Sequence, residues 1–155
     1  MEALFVESYN GFLAKDATDD LRWSGSMDKK LFRLLTSFGS GVCVCSKHTY
    51  ELLPQKMLDD PARTYIVAEK TGSKSLPALN QVYPDAILIG GPAFIKVAYN
   101  MSLLDTIVVT TTKENIQGDP KYKNPIRDVL RHPTTQIDFG DIIVRIYKAQ
   151  HGAQK

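Results

Sequence analysis

Three short stretches carry residues whose types and spacing could do chemistry. In LRWSGSMDKKLFRLLT, Asp28 falls near the start of a helical pattern among the large apolar residues Trp23, Leu31 and Phe32. On the inward face of such a helix a carboxyl is desolvated, which raises its pKa and suits it to proton donation near neutrality. On the outward face the same residue is a first-turn acid favoured by the helix dipole. In VCVCSKHTYE, Cys43 and Cys45 lead into Lys47, His48 and Thr49, where free backbone N–H groups at a helix start could face an anion. In ILIGGPAF, Gly90-Gly91 joins an apolar run to a helical pattern. Two residues without Cβ either let backbone approach a phosphate or a flat ring closely, or simply turn the chain.

The cysteines themselves promise less. In a strand they point to one face about 7 Å apart, too far for a disulfide. No other cysteine is present, and His48, His132 and His151 are isolated from one another, so no metal site is expected and both thiols read as small buried hydrophobes. Ser26 to Lys29 matches S-x-x-K and Lys70 to Gly72 matches K-T-G, a pair used by penicillin-binding enzymes. The chain is too short for that fold and lacks S-D-N.

These groups need elements to position them. Runs rich in Val, Ile, Thr and Tyr predict strands at Ala3 to Ser8, Gly41 to Cys45, Thr64 to Glu69, Ala86 to Ile89, Thr106 to Thr112 and Asp141 to Ala149. Helical patterns lie between them at MDKKLFRLLTSF, HTYELL, SLPALNQVY and PAFIKVAYNM. In the first, Met27, Leu31, Leu34, Leu35 and Phe38 form the expected inward face and Ser26 the N-cap. Strand and helix in alternation predict an α/β fold with a mainly parallel central sheet and flanking helices. TTQIDFGDIIVRIYKA predicts an antiparallel hairpin at the C-terminal edge, turning at Phe139-Gly140.

The bulk numbers narrow the class. A chain of 155 residues, 43% hydrophobic and 23% charged, reads as one domain spanning 1–155. A net charge of +2 from scattered Lys and Arg argues against a nucleic-acid footprint, and no apolar run is long enough to cross a bilayer. MEALFVESYNGFLAK lacks the features of a secretory signal and reads as a first strand, so a cytoplasmic location is expected.

Taken in order, the pieces resemble the dihydrofolate reductase family over nearly the whole chain. The family's Trp, an acid five residues later and a Phe four beyond that are matched by Trp23, Asp28 and Phe32. Its strand ending in a G-R-x-T-like turn is matched by VCVCSKHTYE, with Lys47 in the Arg position and Thr49 in the Thr position. Pro61-Ala62-Arg63, ILIGGPAF, Thr110 in TIVVTTT and Gly118-Asp119 follow in the family's order.

The resemblance implies a single-domain fold of that kind and NADPH-dependent reduction of 7,8-dihydrofolate, with hydride going to C6 and a proton to N5. Asp28, Thr110 and Trp23 would form the catalytic group, Asp28 holding the pterin and Thr110 hydrogen-bonding to both. Leu4, Val6, Phe32, Leu53 and Ile89 would wall the pterin and aminobenzoyl rings, and Arg63 would take the glutamate α-carboxylate. NADPH would meet Lys47, His48 and Thr49 at its phosphates, Glu69 and Lys70 near the 2′-phosphate, and Gly90, Gly91, Pro92, Ala93 and Phe94 along the second helix start. Val6, Leu13 and Ala14 would touch it from the first strand and from a lid at Asn10 to Arg22 that is about two residues longer than in bacterial relatives. A cis peptide is common at the family's Gly pair. The ligand expected is dihydrofolate, with antifolates as inhibitors, and the chain is expected to act as a monomer without membrane or nucleic acid.

Some residues depart from the family pattern. Ser46 stands where its turn has Gly, Pro92 removes a backbone donor after the Gly pair, and Glu69 would repel a 2′-phosphate. SYNGFLA and HTYE are also similar to the riboflavin-pathway pyrimidine reductases, with Asn10 in place of their Asp. A non-catalytic binding module on the same fold is the remaining alternative.

Overall fold

In a computed structural model, residues 1–19, 21–37 and 39–149 are described; the expected helix residue Phe38 and the isolated His151 lie outside them. The strands β1 (Glu2–Glu7), β2 (Val42–Cys45), β3 (Thr64–Val67), β4 (Ile87–Gly90), β5 (Thr106–Thr112), β6 (Thr135–Asp138) and β7 (Ile142–Lys148) form one seven-stranded sheet in the order β3-β2-β4-β1-β5-β7-β6. The first five are parallel, and β7 runs antiparallel to both β5 and β6. This is the α/β arrangement, with its antiparallel C-terminal edge, that the sequence predicts.

Continuously apolar strands such as β2 are buried along their whole length because helices cover both faces of the parallel half. Expected strand limits move by a residue or two. The predicted third strand ends at Val67 because the Glu69 N–H turns away to the Lys74 carbonyl at 2.8 Å. At the hairpin Gly140 takes φ +92°, a conformation glycine adopts without strain, and the turn falls where Phe139-Gly140 predicts it.

One face of the sheet carries Ala3, Phe5, Val42, Val44, Leu88, Ile107 and Val109 and packs against α4 (Leu76–Val82) and α5 (Pro92–Asn100) through Leu76, Leu79, Ile95 and Ala98. The opposite face is attended by α1 (Gly25–Thr36). Helix α1 corrects two expectations. It begins at Gly25 with Ser24 in the cap position, so Ser26 lies inside it, and Met27 and Leu34 are 41% and 54% exposed. The inward stripe is Asp28, Phe32, Leu35 and Thr36, at helical spacing i, i+4, i+7, i+8, of which only Asp28 and Thr36 are buried.

Two short helices follow β2. Helix α2 (Lys47–Leu52) is capped by Ser46, whose Oγ accepts from the Thr49 N–H at 3.1 Å. Helix α3 (Gln55–Leu58) is a single turn that the sequence pattern does not reveal. No helix among the described residues is long and apolar enough to cross a membrane.

Candidate active site

The face of the sheet beneath α1 forms a cleft whose walls follow from strand register. Leu4 pairs with Val108 and Val6 with Thr110 across β1 and β5. Leu4, Val108, Ile87 and Leu35 share a cavity of about 170 Å³ between the sheet and α1. Alternation then puts Val6, Thr110 and Ile89 on the same face, nearer the carboxyl ends of the strands. Asp28 lies about two helical turns along α1 from Leu35, at that same end.

Asp28 is 9% exposed. Burial pushes its pKa above the ordinary carboxylate range, against smaller opposing effects of the Ser24 hydroxyl and the Lys29 charge. The inward alternative for this residue is therefore the one realised. Thr110 is 2% exposed, and no hydrogen bond joins it to Asp28. The direct contact implied by the resemblance is absent: the two face the cleft from different walls, β5 and α1, so a polar ligand group between them could meet both. Thr112, one alternation beyond Thr110, has a buried Oγ1 without a hydrogen-bond partner.

Phe32, Leu53, Val6 and Ile89 are half-buried, as residues lining an accessible cleft are. Arg63 is more committed than expected. Its side chain is 3% exposed, Nε donates to Thr36 Oγ1 and Nη2 to the Arg33 carbonyl, both at 2.7 Å, and Nη1 pairs with Asp60. Two of its five N–H groups are left for a carboxylate. Cys43 and Cys45 are free and buried, and burial pushes their thiols up to about 11 and about 12, so neither supplies a thiolate near neutrality.

At the carboxyl ends of β2 and β4 the two chain crossings meet. The Ser46 N–H donates to the Gly90 carbonyl at 2.9 Å, and the Gly90-Gly91 peptide is cis. A Cβ on Gly90 would stand 3.0 Å from Thr49 Oγ1, and one on Gly91 3.3 Å from Ser46 Oγ, so glycine is what lets the capped turn close against this strand end. Ser46, the departure from the family's Gly, supplies the cap that orders α2. Lys47, His48, Glu69 and Lys70 are exposed, while Thr49 and Pro92 are half-buried and Ala93 is exposed. Phe94 and Leu13 are partly buried and pack against the hydrophobic core of the other face.

The segment that the resemblance makes a lid is tied to the loop after β5 by backbone hydrogen bonds. The Leu13 N–H donates to the Tyr122 carbonyl at 2.7 Å, Asn124 N–H to Gly11 at 2.8 Å and Asp119 N–H to Lys15 at 3.0 Å. Gly118 permits this approach, since a Cβ there would fall 2.8 Å from the Phe12 ring and 2.9 Å from the Ala14 carbonyl. Asn10 clasps Ile116, donating to its carbonyl at 2.8 Å and accepting from its N–H at 3.1 Å. An ionised Asp there could not donate, which accounts for Asn in this chain.

Asp19, which sequence reasoning passes over as one acid in an acidic run, ties the lid to the cleft. Its carboxylate accepts from the Lys15 N–H at 2.7 Å, the Leu21 N–H at 2.9 Å and Trp23 Nε1 at 2.8 Å. Trp23 is thereby fixed five residues before Asp28, the first residue of the inward stripe, with its indole N–H already spent.

Compared with models of protein families and with curated proteins, the sequence matches none, so function is argued from these residues.

Proposed function

We propose that the protein is an NADPH-dependent reductase of a dihydropterin, with 7,8-dihydrofolate as the substrate and tetrahydrofolate as the product. The observation that carries this reading is Asp28: a buried carboxyl with a raised pKa, on an apolar cleft, in no salt bridge among the described residues and met only by the Ser24 hydroxyl and the more distant Lys29 charge. Burying such a group unpaired is costly, and a substrate that brings its own donors repays it. A pterin presents a ring N–H and an exocyclic amine together, and a carboxylate can accept both. Apolar walls at Leu4, Val6, Phe32, Leu53 and Ile89 suit flat rings.

Residues for the cofactor fit in kind. Lys47, His48 and Lys70 supply exposed cationic or hydrogen-bonding groups near the meeting of α2 with β4, with Glu69 the opposing charge. NADPH supplies the hydride when bound there. The chain's own part is to orient the pterin against Thr110 and Asp28, to exclude water with the docked lid, and to help a proton reach N5 from a carboxyl whose pKa burial has raised. Arg63, with two N–H groups in hand, would draw the glutamate carboxylate to the rim. A cytoplasmic, monomeric enzyme is part of the proposal.

The test mixes protein, NADPH and dihydrofolate and follows loss of the reduced nicotinamide absorbance, with Asp28→Asn alongside. The reading expects turnover in the parent and a loss of at least about 100-fold in the variant. An inactive parent would sink the substrate assignment, and an equally active variant would sink the role of Asp28.

A further inference from the structure

The larger cavity, about 360 Å³, lies on the other face of the sheet, away from Asp28. Its lining includes Arg127, Arg131, Arg145, Asn124, Gln136 and Tyr147, brought together from the segment after β5 and from β6 and β7. We propose that this cavity is a second ligand site, for a small phosphorylated molecule carrying two or more negative charges.

Three guanidinium groups around one concavity repel one another unless an anion joins them. Among the described residues Glu7 is the one buried carboxylate beside them, and it is already engaged. It accepts from Thr111 Oγ1 at 2.8 Å and Asn124 Nδ2 at 3.0 Å and stands 3.8 Å from Arg127 Nε. Lys113 and Asp138, which do not line the cavity, offset each other at 4.0 Å. The cavity's balance is therefore cationic.

The forks are also partly pre-set. Arg145 Nε donates to Gln136 Oε1 at 3.0 Å and Nη1 to Thr111 Oγ1 at 3.3 Å, which leaves Nη2 toward the cavity. Arg127 Nη2 donates to the Tyr9 carbonyl at 2.7 Å. Arg131 makes no hydrogen bond or ion pair among the described residues and is exposed, so it can close on a ligand. Planar guanidinium forks match phosphate oxygens pairwise. The volume suits a small molecule and falls short of what a flat macromolecular interface needs.

Arg127 also packs across Gly11, where a Cβ would fall within 2.9 Å of its Cδ. The second site thus shares a residue with the root of the lid.

The test is calorimetric titration of the full chain with inorganic tripolyphosphate at matched ionic strength, with sodium chloride as the control. One saturable site is expected, weakened roughly tenfold by Arg131→Gln and unchanged by Lys47→Gln. Arg131 holds nothing together, so that variant should fold; a thermal melt checks it. A nucleoside triphosphate in a second titration separates the sources: tighter binding points to a nucleotide using Tyr147 and its neighbours, equal binding to free polyphosphate. No saturable binding, or binding lost with Lys47→Gln and kept with Arg131→Gln, would overturn the proposal. Neither result depends on whether dihydrofolate is reduced.

Discussion

Glu7 and Asp28 are both buried acids, 4% and 9% exposed, and they sit on opposite faces of the same sheet. Glu7 has two hydrogen-bond donors and an arginine within reach, all from its own chain. Asp28 is held by no such set; its surroundings are Phe32, the sheet's apolar face and a hydroxyl. A buried acid with several donors fastens structure, whereas one with a single hydroxyl has acceptor capacity left for something that arrives. The contrast separates an acid spent on structure from one open to a ligand, and substitutions can test it.

The largest expected effect is on catalysis. Asp28→Asn should cost about 100- to 10,000-fold in turnover, the range for removing a general acid, while leaving the melting temperature unchanged or raised. Glu7→Gln should do the reverse. Its amide would turn N–H groups toward Thr111 or Asn124, which already donate, so denaturant unfolding should show a loss of about 2 kcal/mol with the remaining folded protein still active. Should Asp28→Asn destabilise as much as Glu7→Gln, the contrast between the two acids fails.

How far could a reader of the sequence have seen this contrast? The elements that frame the cleft were legible because their signals are local. Trp23, Asp28 and Phe32 lie on one short stretch, Gly90-Gly91 ends an apolar run, and Gly118-Asp119 marks the loop that docks the lid. The register of α1 was less so. Met27 and Leu34 look like core residues, yet the helix turns Asp28 and Thr36 inward instead, because a cleft rather than a packed interface lies beneath it. Glu7 was hidden for another reason. Its partners Thr111 and Asn124 are 104 and 117 residues away, and only the parallel pairing of β1 with β5 brings them to it. The arginine cavity combines a hairpin pair, Gln136 with Arg145, with a distant one, Arg145 with Val109, and only the second brings the hairpin to β5.

A smaller effect is expected where Trp23 meets Asp19. Trp23→Phe removes the indole donor to Asp19 but leaves the Lys15 and Leu21 N–H groups on that carboxylate. Stability should fall by about 1 kcal/mol, the net worth of a single hydrogen bond. A loss several times larger would mean that the indole, rather than the backbone donors, holds the lid.

The finest test of the comparison is the pH dependence of stability, where Asp28 acts with a definite sign. Its folded pKa lies above the ordinary aspartate value of 3.8, so between the two the folded state holds a proton that the unfolded state has released. Unfolding then releases a proton, and stability falls as pH rises through that window, becoming flat above the folded pKa. Asp16 and Asp60 work in the opposite sense. Backbone and side-chain hydrogen bonds hold both below the ordinary value, so their contribution is lost as pH falls. Asp16 is exposed and Asp60 half-buried, and both are common to parent and variant, so the difference between the parent and Asp28→Asn isolates Asp28. That difference, from denaturant midpoints measured from acid pH to neutrality, should grow in favour of the variant as pH rises and then level off. Parallel curves would mean that Asp28 ionises as freely in the folded chain as in the unfolded one, and the cleft would lose its acid.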